Sequence, residues 1–509
     1  MKYVIAYDLG TGGIKTSIFG EDGVSRGFSF LGYETFFPRE GFREQRPETW
    51  WDAVKKTTVD VLNETGIDPK EIVSCAVSGH SLGALPIGYD GQLLCEYVPV
   101  WNDSRAKAQS EDFFQKTSED AWYLTTGNGF PAELYSIFKI LWYKDNMPEV
   151  YENTDKFIGT KDYINYKLTG VLATDRSYAS GCGVYSLKDD CYSEEYIRLS
   201  GIDRSKLPVI LASTDAVGQI LPDVAAELGL SPDLLVCAGG VDNACMALGA
   251  GCLADGDVYT SLGTSAWIAE CDSTPVVDTK NKPYVFAHCL PGKYVSAVAI
   301  FSAGNSLRWV KDMLFTDLDA AEQAGGISAY RIMDEMALNT PLGANNLYFI
   351  PTLAGGSSLD KSADAKGMFV GLDLMHKRED IARASLEGIA LNLRVALDVL
   401  KKYVTVSNNM LIVGGGSKSK IWKQIFADAY GMNIATARVG QDAGSFGAAA
   451  LAAVGAGLWN DFSRVESVVK DETLLAPIPT NMAFYNHILP TYRKLIDISS
   501  DVGDIIKAQ

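Results

Sequence analysis

Two short stretches, half a chain apart, read alike, and they constrain the fold more than any other feature. At the start, Lys2–Tyr7 is an apolar strand, Asp8-Leu9-Gly10-Thr11-Gly12-Gly13 a turn, and Ile14–Phe19 a returning strand. In the middle, an apolar strand beginning near Asp257 breaks at Leu262-Gly263-Thr264-Ser265 and resumes as a second strand to Ala269. Strand, Leu-Gly-Thr, strand, twice over, predicts two copies of one α/β device facing each other across a cleft. The turns also suit phosphate, because glycine lets backbone N–H groups approach its oxygens and the Thr and Ser hydroxyls donate to them. Just before the second copy, Gly239-Gly240-Val241-Asp242-Asn243 offers a lone carboxylate. Asp242 reads either as a proton acceptor or as a cap for the helix that follows.

A chain of 509 residues is too long for one ordinary core. The expected division is 1–249 and 250–509, with the change falling near 245–257. A net charge of −18 argues against nucleic acid, whose binding rests on clustered Lys and Arg. It does not argue against ATP, because local N–H groups and a bound cation govern that contact. No apolar run approaches the ~20 residues of a spanning helix, and the start lacks signal-peptide architecture. The nine cysteines form no CxxC pair, so reduced, buried thiols in a cytoplasmic protein are expected.

Further along, Gly79-His80-Ser81-Leu82-Gly83 matches the G-x-S-x-G elbow of α/β-hydrolases, which would make Ser81 a nucleophile with His288 or His376 as its base. An elbow must feed a helix, whereas Ala84–Gly91 carries a Pro, a Gly and an Asp-Gly turn and predicts a strand and hairpin. Asn102-Asp103 ends a short strand at Val98–Trp101; the pair suits hydrogen bonding to a polyol, or an N-cap for a helix starting near Arg105. Thr174–Gly181 is small and polar and reads as a loop lining a cleft. Asn409–Val413 is a strand running into Gly414-Gly415-Gly416-Ser417, followed by a helix from Ser419. That order suits a nucleotide, although a run of three glycines also serves as a bare tight turn. The small-residue helix Gln441–Gly455 is better explained by close packing than by chemistry.

Taken together, these pieces resemble the FGGY carbohydrate kinases of the actin/Hsp70/sugar-kinase superfamily, most closely the xylulokinase-like branch. The resemblance keeps the motif order over nearly the whole chain. It runs from Asp8–Thr11 through Trp101-Asn102-Asp103, Lys161-Asp162-Tyr163 and Gly240–Asn243 to Ser261–Ser265 and Gly414–Gly416. Gly367–Leu372 through Glu387 matches the family's C-terminal signature throughout. The N-terminal signature agrees at Ser136, Lys139, Trp142, Asp145 and Asn146 and departs at Leu134 and Tyr143.

The resemblance implies two ribonuclease-H-like (actin-like ATPase) domains, the first holding mainly sugar and the second mainly ATP. It implies Asp242 as the base and Asp8, with Asp242, as partners of Mg²⁺. The implied nucleotide contacts are Thr11, Gly12 and Lys15 in the first half, with Gly263, Thr264, Ser265, Gly414, Gly415 and Ser417 in the second. Around the sugar it places His80, Asn102, Asp103, Asp242 and Asn243. A homodimer is common among such kinases and is expected here. Two departures bear on the substrate. The usual Gln-Met-His is here His80-Ser81-Leu82, so Leu82 stands at the sugar-contacting imidazole position, two places after His80. A Gly-Glu-Arg-Thr-Pro run common in pentulose kinases is here Gly355-Gly356-Ser357-Ser358-Leu359. A pentulose such as xylulose is favoured, and another ketose, a sugar alcohol or a deoxy sugar is compatible.

Overall fold

The computed structural model describes residues 1–129, 131–436, 442–469 and 474–509. Gln441, where the small-residue helix was expected to begin, lies outside them. The chain divides into two compact units. The first comprises Met1–Leu253, Cys271–Val295 and Asp442–Val469, the second Ala254–Glu270, Ser296–Gln441 and Lys470–Gln509.

Each unit is built on the same strand order. In the first, Ser25–Gly32, Gly13–Gly20 and Tyr3–Gly10 form an antiparallel meander. Ile72–Gly79 and then Leu235–Cys237 continue the sheet in parallel. In the second, Tyr294–Ile300, Ala266–Asp272 and Asp257–Leu262 are neighbours in that order, and Asn409–Val413 and Asn433–Thr436 extend the sheet in parallel. The repeat seen in the two turns is therefore a repeat of whole sheets.

Strand parity explains how the first sheet aims its side chains, since successive residues point to opposite faces. Tyr7 turns to the helix Pro47–Thr65, where its hydroxyl lies 3.0 Å from Thr58 Oγ1. Asp8, the next residue, faces the helix Ala443–Gly455 instead, 3.5 Å from Ser445 Oγ. That second helix sits very close. A Cβ added to Gly447 would meet the Cys245 carbonyl oxygen at 1.9 Å, and one on Gly249 would meet that of Ala443 at 1.8 Å. Its small residues are thus required by packing, as the sequence indicated.

Ile72–Gly79 is followed by a short turn and the strand Leu85–Gly88, and no helix follows Ser81. Leu85–Gly88 pairs with Thr154–Ile158, and a bridge from Ile87 to Leu93 closes the hairpin. The nucleophile elbow is absent, and the hydrolase reading goes with it. Thr174–Gly181 corrects an expectation: it is no cleft-lining loop but the strand Ala173–Asp175 and the helix Arg176–Ser180, buried throughout. Asp175 caps that helix, accepting from the N–H groups of Ser177 at 2.9 Å and Tyr178 at 3.3 Å.

Candidate active site

Asp242 is the first residue of the helix Asp242–Gly249, entered from the short strand Gly240–Val241, which pairs in parallel with Ser78–Gly79. Its half-buried carboxylate accepts the Asn243 N–H at 2.8 Å. Burial pushes its pKa up to about 7; the Asn243 N–H opposes this, and the negative charge of Asp8 adds to it. The capping reading is thus met only in part: the carboxylate takes one N–H of its own helix and remains a group able to gain or lose a proton near neutrality. Asp8 is the other acid. Burial raises its pKa, while Ser78 Oγ at 2.9 Å, the charge of Lys15 and Ser445 favour the ionised form.

The partners of Asp8 are the residues that sequence reasoning missed. Ser78 stands directly across the strand pair from it, at register Asp8↔Ser78. Ser445 comes from the last part of the chain assigned to this unit. A Cβ on Gly444 would lie 3.0 Å from Asp8 Oδ2, so glycine there leaves the carboxylate room. Lys15, expected at the nucleotide, pairs with Asp442 and lies 4.3 Å from the centre of the Phe28 ring. No sequence pattern flagged Asp442 or Ser445. The signal that could have found them is the Asp442-Ala443-Gly444-Ser445 opening of a helix whose remaining residues are all apolar or glycine.

The residues expected around the sugar differ in how free they are. His80 is buried, and neither ring nitrogen has a hydrogen-bond partner. Burial pushes its pKa down to about 3, so the ring is neutral. Its edge meets the Trp50 ring with centroids 5.5 Å apart. Asn102 also keeps a buried, unpartnered carbonyl oxygen. Asp103 is different: its oxygens take Arg105 Nε and Nη2 at 2.8 Å each, the Arg43 N–H at 2.6 Å and the Arg105 N–H at 3.1 Å. A fully buried carboxylate with four donors is a brace for its loop, and it has no free lone pair aimed at a ligand.

The glycines of the turns divide by what surrounds them. A Cβ on Gly12 would meet nothing within 4 Å, and one on Gly263 would meet only the Ser265 carbonyl oxygen, at 3.6 Å. Neither has a positive φ. Neither chain geometry nor packing therefore demands glycine there, and both positions leave the backbone open to its surroundings. Thr11 accepts from Trp101 Nε1 at 3.0 Å, and the carbonyl groups of Gly263 and Thr264 accept from the start of the helix Gly304–Leu314. Gly414 differs again, with φ +92° and a Cβ position 2.6 Å from the Leu262 carbonyl oxygen. After it comes a short 3₁₀ turn over Gly415–Lys418, closed by Ser417 Oγ donating to the Gly414 carbonyl at 2.7 Å. The helix Lys420–Tyr430 begins later, capped by Ser419, so the glycine run does not itself open a helix.

Two α/β units with this strand order, each with a Leu-Gly-Thr turn, define the actin-like ATPase fold. The P. falciparum glycerol kinase structure with ADP shares it, with a TM-score of 0.84 over 97% of this chain and 98% of that one, at 18% identity. The FGGY family of carbohydrate kinases matches at both domains, the N-terminal over residues 3–249 and the C-terminal over residues 258–456. The chain belongs to the FGGY family of carbohydrate kinases and is an ATP-dependent sugar kinase. It is 30% identical to a xylulose kinase of Staphylococcus xylosus over 98% of this chain and 100% of that one. It is 25% identical to a gluconokinase of Bacillus subtilis over 97% and 95%. A ligand-bound xylulose kinase structure from Lactobacillus acidophilus superposes with a TM-score of 0.88 at 27% identity, covering 97% and 98%. No described helix is long and apolar enough to cross a membrane.

Proposed function

We propose that this kinase phosphorylates a hydroxyl of a small neutral sugar or polyol, with a pentulose such as xylulose favoured, and that Asp242 is the general base. The observation that carries this reading is Asp242 itself: a single carboxylate at a helix start, desolvated beside a second acid, with a pKa near 7. A sugar hydroxyl does not release its proton at neutral pH, so phosphoryl transfer needs a positioned acceptor, and a carboxylate of that pKa is matched to the task. Asn243 orients the carboxylate through its N–H. The buried, unpartnered His80 ring and Asn102 oxygen are groups a polyol would satisfy. Gly12, Thr11, Gly263, Thr264 and Ser265 are the proposed phosphate contacts, and the Gly414-Gly415 turn with Ser417 the adenosine contact. Domain roles follow from this, with the sugar mainly on the first half and ATP mainly on the second.

Mg²⁺ fits the acids present. Among the described residues no three His, Cys, Asp or Glu side chains form a metal cage, and Mg²⁺ is usually held by one or two carboxylates together with substrate phosphates. Asp8, with Asp242, would hold it. Bound there, the ion would spread the charge on the transferred phosphoryl group.

A neutral substrate is favoured over a sugar acid by how Lys139, the cation beside His80, and Arg105, beside Asp103, are engaged. Lys139 donates to the carbonyls of Leu82 and Val100 at 2.8 Å each and of Trp101 at 3.3 Å. Arg105 is committed to Asp103 and Glu44. Both are occupied, which leaves neither to receive a carboxylate. The test is ADP release with xylulose, other ketoses, pentitols, deoxy sugars and gluconate. A neutral ketose or polyol should give the highest kcat/KM, and gluconate as the best substrate would overturn this assignment. A cytoplasmic homodimer completes the proposal, checked by sedimentation and fractionation.

A further inference from the structure

Two features of the sequence have no part in the chemistry above: the Lys161-Asp162 motif and the buried segment around Asp175. They meet at the strand end that leads into Asp242. Lys161 is fully buried, and its ammonium group contacts Asp162 Oδ1 at 2.6 Å, Asp175 Oδ1 at 3.0 Å and the Ala238 carbonyl at 3.0 Å. Asn165 Nδ2 donates to the same carbonyl at 2.9 Å. The other oxygen of Asp175 accepts from Ser177 Oγ at 2.5 Å and Ser213 Oγ at 2.8 Å. Ser177 Oγ in turn accepts the Val241 N–H at 2.9 Å, one residue before the base.

Between these two anchors the chain has no freedom. Gly239 has φ +71°, and a Cβ there would strike the Val77 carbonyl oxygen at 2.1 Å. One on Gly240 would meet Cys289 Sγ at 2.6 Å and Ser177 Oγ at 3.1 Å. Glycine at both positions presses the strand end onto its neighbours. The network then fixes it at Ala238 and Val241, on either side of that contact.

We infer that Lys161, Asp175 and Ser177 form a positioning relay that sets the place of the Asp242 carboxylate through the backbone of Ala238–Val241. The inference rests on Asp242 being the base. A buried cation shared between two carboxylates is costly to assemble, and removing one partner strands the rest. Burial opposes the Lys161 charge, but the two carboxylates outweigh it and its pKa is raised. Ser177 is the link that can be cut most gently: it carries no charge, and only its hydroxyl joins Asp175 to Val241.

The test compares Ser177→Ala, Asp175→Asn and Asp242→Asn with Ser200→Ala. Ser200 is a buried hydroxyl of the same unit that donates to the Ile197 carbonyl at 2.7 Å and accepts the Ile202 N–H at 3.4 Å, with no bond to the Ala238–Val241 segment. Ser177→Ala should lower kcat about ten- to a hundredfold per folded molecule, since small displacements of a catalytic group cost that much. KM for sugar and for ATP should stay within about twofold, because the change acts on the reacting geometry and not on ground-state binding. The pH midpoint of kcat should move from its wild-type value. Asp175→Asn should share this signature, and Ser200→Ala should show neither change. Unaltered kcat and pH midpoint in Ser177→Ala, beside an inactive Asp242→Asn, would overturn the relay alone. An active Asp242→Asn enzyme would overturn the base assignment and the relay with it.

Discussion

The two Leu-Gly-Thr turns have the same frame and different chemistry. Aligned on Leu9 and Leu262, the position of Asp8 in the first is that of Ser261 in the second. Across the parallel pair, Asp8 faces Ser78, whereas Ser261 faces Val413. The first turn therefore pairs an acid with a hydroxyl that bonds it, and the second pairs a hydroxyl with an apolar side chain. The shared frame puts Gly10 of the first turn where the second has Gly263, and a Cβ would meet only the Gly13 carbonyl oxygen at 3.4 Å on the one and that of Ser265 at 3.6 Å on the other. One residue in each decides whether charge is placed beside the turn. Acidic side chains collect in the first unit, where Asp242 also resides, and the second turn is left neutral, which fits the phosphate-receiving role proposed for it.

The sharpest way to break this comparison is to exchange its two halves. Asp8→Asn should lower kcat on the order of a hundredfold or more, as loss of a charged group at a transferring phosphoryl does. Ser261→Ala should stay within about threefold of wild type. Equal losses in both would show that the turns are alike in function as well as in frame.

Smaller, and graded, is the response to pH. Asp242 must be ionised to accept a proton, and its pKa lies near 7. The rate at saturating sugar should therefore fall as pH drops through 7, by about tenfold for each further unit. Stability runs the other way. A carboxyl whose pKa is raised in the folded state binds its proton more tightly there than in the unfolded chain, so it favours folding at low pH and loses that contribution between about pH 4 and 7. Asp242→Asn should accordingly melt higher than wild type at pH 8, with the difference shrinking toward pH 4 as followed by calorimetry.

The smallest contrast separates a glycine with open space beside it from a glycine pressed against the chain. Gly239→Ala should destabilise the protein by about 3 kcal/mol or more, combining a left-handed backbone with a backbone clash. Gly12→Ala should leave the melting temperature unchanged and raise KM for ATP a few-fold, measured by steady-state kinetics. If Gly12→Ala unfolds the protein instead, its openness to ligand has been misread.

Much of this was legible before any coordinates. The hairpins, the parallel strands and the helix after Asp242 follow from local pattern, since apolar runs punctuated by glycine determine them. At the candidate site, the motifs around Asp242 and Asp8 were legible because each sits where a strand ends in a local glycine pattern. The site was not legible where packing brings distant residues together: Ser445 and Asp442 reach Asp8 and Lys15 from the far end of the chain. Nor could the sequence distinguish the free Asn102 from its neighbour Asp103, because that difference lies in Arg105 and Arg43 folding back onto one carboxylate. Nor does the sequence tell what Gly239 and Gly240 are for, and their crowding against Val77 and Cys289 gives a packing reason for both. Glycine marks a close approach, and only tertiary structure says to what.

The central claim is that Asp242 takes the proton from the sugar. It is tested most directly in Asp242→Asn, by measuring product formation at saturating sugar and ATP together with calorimetric binding of ATP. The account predicts ATP affinity within about threefold of wild type and turnover reduced by two to four orders of magnitude, the usual contribution of a general base. Turnover within tenfold of wild type, with ATP affinity intact, would contradict it.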